Sequence, residues 1–397
     1  MYEFTNFIFL MSKKYKVIGI MSGTSLDGLD IAYCEFVKGK NFALSNPHSV
    51  SPSNGVTSFG GWKYKIIHAE TKKYSKEWKE KLSKAFSMKK KGIEQLDKEY
   101  GKYIGREVQK FIRHKKIVPD FISSHGHTLF HQPEKKITLQ IGDGNTISSA
   151  CRLPVVCDFR SGDVALGGQG APLVPMADKL LFSQYDFCLN LGGFANISYN
   201  TFPLSKGEGL GVRRAFDICP VNIVLNELAN KCGKEFDEGG KMASKGKVHS
   251  GLLKKLNKLP FYRKQAPKSL GREWAEKVFL PTLNSFSIST QDKLRTVVEH
   301  VAAQIALIAN VQQARLLITG GGAYNRFLVK RISEHTQCEV ILPDNKTIQF
   351  KEAMAFGFLG VLRIRKDINI LKSVTGAARD SSGGKIFFPD QNAFSSL

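Results

Sequence analysis

Three times along this chain an apolar, strand-like run stops at a cluster of glycine. Ser22-Gly23-Thr24-Ser25 follows KVIGIM (16–21), Leu191-Gly192-Gly193 follows DFCLNL (186–191), and Thr319-Gly320-Gly321-Gly322 follows RLLIT (315–319). Glycine lets the backbone approach a ligand closely and turns N–H groups toward phosphate. One such turn is commonly only a turn. Three dispersed along one chain point to a nucleotide held between two domains. Further strand-like runs at 29–36, 119–124, 153–158 and 194–199 alternate with helix-like stretches at 75–89, 94–114, 291–310 and 352–364. That alternation makes the class α/β. Gly192-Gly193 reads as a hairpin, Asp217 as the end of a strand, and Pro220 as the start of a helix. The glycine-rich stretch 161–172 reads as irregular. No internal repeat and no low-complexity linker is visible by eye.

At 397 residues two domains are expected, and 42% hydrophobic content excludes global disorder. Lys and Arg outnumber Asp and Glu 58 to 35, a net charge of +23. Such a field attracts anions, nucleic acid included. The lysines lie on amphipathic stretches such as 72–91 and 105–116, with no RNA-recognition aromatic motif or zinc finger beside them. A solvated lysine surface is therefore favoured over a nucleic-acid binder. Seven cysteines, odd in number and without CxxC, predict free thiols and a reducing compartment. The opening MYEFTNFIFLM lacks a basic region and a cleavage site, so no signal peptide is expected; Met11 is a second candidate start. No apolar run is long enough to span a bilayer.

GxxxxGK[ST], GxGxxG, GxSxG and HExxH are all absent. Asp27 and Asp30 flank Gly28, a placement that suits Mg²⁺ or a phosphate-bound water, or simple turn capping. Asp158 ends an apolar strand before Phe159-Arg160. It reads either as a general base facing a cleft or as a partner of Arg160 or cap of the next loop. His125, His127 and His131 form HxHxxxH. On a regular strand His125 and His127 share one face, but no neighbouring Cys or carboxylate completes a zinc site. Substrate contact or structural hydrogen bonding is the expectation. Glu352 opens the apolar helix EAMAFGFLGVL, where the helix dipole or a ligand explains it.

In order along the chain stand GIMSGTSLDGLDIAYCEF, SSHGHTLFHQP, TLQIGDG, VVCDFRSGDVALGGQGAPLVP, LNLGGFANIS, AFDICPVN, PKSLGREW, TGGGAYN, KEAMAFGFLG and SVTGAARD. Together they resemble the anhydro-N-acetylmuramic acid kinases, from about Lys16 to about Phe387. The resemblance implies the two-domain α/β fold of sugar kinases, actin and heat-shock ATPases, with mixed five-stranded sheets facing an interdomain cleft. It places domain I at 1–157 plus about 368–397 and domain II at 158–367. It implies ATP bound by Gly23, Thr24, Ser25, Leu26, Asp27, Gly28, Leu29 and Asp30, with Gly192, Gly193, Asn196, Gly320, Gly321 and Gly322. It implies sugar contacts from His125, His131, Arg160, Asp163, Gln169 and Glu352, Asp158 as catalytic base, and Mg²⁺ reached by Asp27 through water.

The implied reaction opens 1,6-anhydro-N-acetylmuramic acid hydrolytically and phosphorylates O6, giving N-acetylmuramic acid 6-phosphate in cytoplasmic peptidoglycan recycling. No nucleic-acid or membrane partner is expected, and a homodimer is compatible with it. Three departures stand out: His127 where many family members carry Gln, an extension before Lys14, and the charge of +23. The alternatives are a kinase of another anhydrosugar such as levoglucosan, and a non-catalytic nucleotide-dependent binding protein of the same fold. Intact Asp158, Asp27 and glycine turns argue against the second.

Overall fold

The computed structural model describes residues 13–23, 26–39, 61–201, 212–266 and 268–389, apart from the Pro133 side chain. Thr24, Ser25 and the stretch before Lys13 lie outside the described residues, so the expectations for them are not addressed. The chain divides into two compact units, Met1–Ser183 with Phe350–Leu397, and Gln184–Gln349.

The strands are β1 (Lys14–Ser22), β2 (Gly28–Lys38), β3 (Trp62–Lys73), β4 (Phe121–Gln132), β5 (Ile137–Ile141), β6 (Val155–Cys157), β7 (Phe187–Leu191), β8 (Phe194–Asn200), β9 (Arg213–Pro220), β10 (Arg315–Thr319), β11 (Glu339–Ile341) and β12 (Lys385–Phe387). The helices that matter for the site are α1 (Lys90–Lys115), α2 (Gly144–Cys151), α3 (Ser161–Ala165), α4 (Asn222–Asn230), α5 (Thr290–Ala306) and α6 (Asn345–Ile364).

In the first unit the sheet order is β12-β6-β4-β1-β2-β3, with β5 added to β4. β1 pairs antiparallel with β2 and parallel with β4. It is central, and Tyr15, Val17, Ile18 and Ile20 are all fully buried. A strand covered on both faces reads as a nearly continuous apolar run. Ile18 and Ile20 join the core with Leu96, Tyr100, Ile104, Val108 and Phe111 of α1, which recur at helical spacing. Gly19 points to the other face, where α6 crosses backbone against backbone: a Cβ there would overlap the Ala353 carbonyl oxygen and lie 3.0 Å from the Gly357 nitrogen.

The second unit has order β11-β10-β7-β8-β9. Helix α5 starts where the Ser289 side chain accepts the Asp292 N–H. It buries Leu294, Val297, Val298, Val301, Ala302 and Ile305 against Leu189, Leu191, Ile197 and Ile218.

The two sheets share one topology. β3-β2-β1-β4-β6 and β9-β8-β7-β10-β11 are each an antiparallel meander whose first strand continues into two parallel neighbours. The repeat lies in the path of the chain, which is why no repeat is visible in the letters. The first sheet has seven strands among the described residues rather than five, because β5 and β12 extend it.

Several local expectations are corrected. Residues 161–165 form helix α3. β9 runs through Asp217 to Pro220, and α4 starts only at Asn222. Helix α6 begins at Asn345, where the Asp344 carboxylate accepts the Thr347 N–H at 3.1 Å, so Glu352 lies well inside the helix. The unit boundaries also differ from 157/158 and 367/368. Residues 158–183 stay in the first unit because Asp163 and Gln169 bond Thr375. Residues 350–367 stay there because α6 crosses β1 at Gly19. None of the seven cysteines forms a disulfide, and five of them are buried. Among the described residues no helix is long and apolar enough to cross a membrane.

The Gly19 crossing has a measurable consequence. Gly19→Val forces α6 away from the sheet and should destabilise the protein by about 1–3 kcal/mol or more, as overpacked cores do. A denaturant midpoint unchanged from wild type would contradict this packing.

Candidate active site

The β1–β2 connection is the first glycine turn. Leu26 adopts φ 58°, and its N–H reaches the Gly23 carbonyl at 3.4 Å. Gly28 lies against β3, where a Cβ would meet the Lys72 carbonyl oxygen at 2.6 Å. Asp27 is exposed. On β2, Asp30 accepts a hydrogen bond from Thr71 Oγ1 at 2.5 Å. Burial raises its pKa to about 6, and the charges of Glu352 and Asp27 add to the rise. The hairpin is braced from below: Ser22 Oγ lies 2.7 Å from the Tyr74 hydroxyl and 3.0 Å from His127 Nδ1, and Tyr74 reaches the Tyr100 hydroxyl of α1 at 2.5 Å.

β4 brings the histidines, but not onto one face. Gly126 between them adopts φ 73°, and a Cβ there would meet the Ile141 carbonyl oxygen at 2.5 Å. This break in the alternation sends His127 toward Tyr100 of α1 and His125 toward Phe356 of α6, with ring centroids 6.3 and 4.5 Å apart respectively. His131 is exposed, its Nδ1 3.4 Å from Thr138 Oγ1. The three imidazoles do not gather, and among the described residues no group of three metal-binding side chains occurs.

His125 is bound to the arginine of the DFR string. Arg160 Nε and Nη2 both point at His125 Nε2, at 3.0 and 2.9 Å, and Nη1 donates to the Gly170 carbonyl at 3.2 Å. A guanidinium only donates, so Nε2 is the acceptor. The proton therefore sits on Nδ1 and is donated to the Gly126 carbonyl at 3.0 Å. Burial, reinforced by the Arg160 charge, holds His125 neutral, with its pKa well below the ordinary value. Desolvation lowers Arg160 to about 10, and Glu352 acts in the opposite sense. A guanidinium whose direct partners are a neutral imidazole and a carbonyl retains its attraction for an anion.

Asp158 follows β6 with φ 57°, a strained conformation for a residue with a side chain. Its carboxylate is 24% exposed; Oδ1 accepts the Ser161 N–H at 3.4 Å and Oδ2 meets Lys385 Nζ at 2.8 Å. Of the readings left open for Asp158, the pairing with Arg160 does not occur, because Arg160 turns to His125, whereas a cap of the following loop does, through the Ser161 N–H.

Asp163 requires a correction. It has no accessible surface, and both oxygens are engaged internally, by Thr375 Oγ1 and by the Gly170 N–H, each at 2.8 Å. It shapes the loop instead of touching a sugar. Gln169 is exposed, held through its backbone N–H to the Thr375 carbonyl at 2.8 Å.

In the second unit the other two glycine turns converge on the start of α4. The Val221 and Asn222 N–H groups bond the Gly193 and Gly192 carbonyls at 2.8 and 3.2 Å, and Asn222 Nδ2 donates to the Leu191 carbonyl at 3.2 Å. The glycines divide by role. Gly320 has φ 84° and Gly322 lies against Leu191, whose Cβ is 2.6 Å from the site of an added Cβ. Both are needed by the fold. Gly193 and Gly321 are exposed, and an added Cβ would meet nothing nearer than 3.9 and 3.6 Å. Beside the turns, Thr319, Asn190, Asn196 and Asp217 form one polar row across four strands. Burial raises Asp217 to about 6, and its Oδ2 accepts the Leu270 N–H at 2.8 Å. Of this row, sequence reasoning gave only Asn196 a binding role. The available signal was a polar residue near the end of each apolar strand.

Residues 15–389 match the family described as anhydro-N-acetylmuramic acid kinase. Curated relatives bearing that description include one from Sulfurimonas denitrificans, 32% identical over 403 residues, covering 95% of this chain and 100% of the relative. One from Vibrio cholerae is 33% identical over 400 residues, covering 96% and 100%. One from Francisella tularensis subsp. novicida is 31% identical over 406 residues, covering 95% and 100%. With a match over nearly the whole described chain and full-length relatives above 30% identity, this kinase belongs to the anhydro-N-acetylmuramic acid kinase family.

Proposed function

We propose that the protein uses ATP to phosphorylate O6 of 1,6-anhydro-N-acetylmuramic acid while water opens the anhydro bridge. The observation that carries this reading is Asp158: a partly exposed carboxylate at a strand end, in strained backbone, with Oδ1 only loosely engaged. The chemistry requires such a group. O6 of the substrate is an ether oxygen and has no proton to lose. It gains nucleophilic character only as the C1–O6 bond breaks. Water attacks C1, Asp158 takes a proton from that water, the bond electrons pass to O6, and O6 takes the γ-phosphoryl group as ADP leaves. The product is N-acetylmuramic acid 6-phosphate, and we assign it to peptidoglycan recycling in the cytoplasm.

Arg160 favours the acid-bearing sugar over neutral levoglucosan. Its attraction for an anion suits the lactyl carboxylate, with His125 fixing its plane. His131, Gln169 and Glu352 are the remaining sugar contacts proposed. For ATP we assign the hairpin Gly23–Asp30 in the first unit, and Gly192, Gly193, Asn196, Gly320, Gly321 and Gly322 in the second. The residues present fit Mg²⁺: an exposed Asp27 lies beside Asp30, whose pKa the surrounding negative charge helps hold up. Mg²⁺ prefers one or two carboxylates with water and phosphate oxygens. When bound with the nucleotide it would supply neutralisation of phosphate charge.

Three outcomes are expected. Asp158→Asn should lower kcat by about 10²–10⁴-fold with little change in KM, because it removes basicity and keeps size; full turnover would remove Asp158 from the chemistry. In an ADP-release assay, 1,6-anhydro-N-acetylmuramic acid should be preferred over levoglucosan, and Arg160→Met should erode that preference. Equal turnover of both sugars by the wild type would favour the neutral-sugar reading. Gly193→Val and Gly321→Val should fold and raise KM for ATP by about tenfold or more, whereas Gly322→Val should lose stability. Native ATP affinity in the folded variants would take these turns out of the site.

A further inference from the structure

Ser22 and His127 are partners in the parallel β1–β4 pair, at the end of β1 where the first glycine turn begins. Four side chains meet there in a line. Tyr100, Tyr74, Ser22 and His127 are linked hydroxyl to hydroxyl to imidazole, at 2.5, 2.7 and 3.0 Å. All four are more than nine-tenths buried. Burial holds both tyrosine hydroxyls above their ordinary pKa, so they keep their protons, and pushes His127 down to about 4, so its ring is neutral. A neutral imidazole carries one proton, and the line decides which nitrogen holds it. Three hydroxyls supply three protons for three links. Donated in order from Tyr100 to Tyr74 to Ser22 to His127 Nδ1, they fill every link. Run the other way, the Tyr100 proton has no acceptor left within hydrogen-bonding distance among the described residues, a costly loss for a hydroxyl with no accessible surface. Nδ1 is therefore the acceptor and the proton sits on Nε2, the opposite tautomer to His125. Nε2 has no partner among the described residues.

Resting on the reading of the first glycine turn as a phosphate hairpin, we propose that His127 is a nucleotide-binding residue whose Nε2–H donates to a phosphate oxygen of ATP held at that turn. Ligands of open α/β sheets gather beyond the carboxyl ends of the parallel strands, and β1 ends here. A sugar hydroxyl can be served by a donor or by an acceptor. A ring locked as a donor is matched to an oxygen that only accepts, as phosphate oxygens do. The same line holds Ser22, the last strand residue before the turn, so the donor and the turn keep a fixed relation to each other.

The test uses the full-length enzyme. His127→Leu should raise KM for ATP about tenfold, the order expected for a lost hydrogen bond to a charged group. KM for 1,6-anhydro-N-acetylmuramic acid should stay within about twofold. His127→Gln, whose carboxamide carries one acceptor and one donor, should recover most of the ATP affinity. In wild-type protein labelled with ¹⁵N at histidine, the His127 signals are those missing from His127→Gln. Nδ1 should resonate as an unprotonated ring nitrogen and Nε2 as an N–H, and a non-hydrolysable ATP analogue should move the Nε2 signal. A proton found on Nδ1 would overturn the inference, as would an unchanged KM for ATP in His127→Leu. So would a loss confined to KM for the sugar, which would make His127 a sugar contact instead. The Gly23 amide, followed in glycine-labelled protein, separates the two layers. A Gly23 signal unmoved by the analogue removes the hairpin reading itself. A Gly23 signal that moves while His127 Nε2 does not removes only the role of His127.

Discussion

The buried carboxylate of Asp163 is the knot around which the candidate site is tied. A fully buried charge is tolerated only when hydrogen bonds replace its water. Here Thr375 Oγ1 and the Gly170 N–H do so. Those two bonds fix α3, the glycine loop 167–170 and the segment near Thr375 to one another. Asp158 and Arg160 lie at the entrance to that loop. The strained backbone of Asp158 persists because the anchored loop on its C-terminal side cannot relax. Arg160 is held in the same way, with the Gly170 carbonyl on one side and His125 on the other.

The two units repeat one strand path and place a glycine turn at comparable points in it: after β1 in the first, after β7 in the second. The second unit adds a third turn after β10. The glycines in these turns are not interchangeable. Gly28, Gly320 and Gly322 are demanded by neighbouring backbone or side chains or by a positive φ, whereas an added Cβ at Gly193 or Gly321 would make only ordinary contacts. Only the second kind is left unexplained by packing. This distinction comes from packing, and a string of glycine letters does not contain it.

Most of the strands were legible because central strands are apolar on both faces and end at glycine or polar residues. The ordered strings carried the family, from MSGTSLDG to SVTGA. The features that were not legible depended on long-range geometry. Alternation places His125 and His127 together, but a positive φ at Gly126 separates them, and that φ comes from a close approach of β5. Glu352 looks like a helix start until the cap at Asp344 moves the start back to Asn345. Asp163 looks like a contact residue until its partner Thr375, distant in sequence, is known. Lys385 gives no signal at all in the letters, since its place beside Asp158 is set by the pairing of β12 with β6.

The central claim is that water enters at C1 and that O6 of the sugar becomes the phosphoryl acceptor. Turnover in ¹⁸O-labelled water, with prompt mass analysis of the product before anomeric exchange, tests it directly. The account predicts label in the C1 hydroxyl and unlabelled oxygen in the C6–O–P bridge. Label in the bridge would show that water entered at C6 while the original oxygen stayed on C1, and would contradict the mechanism.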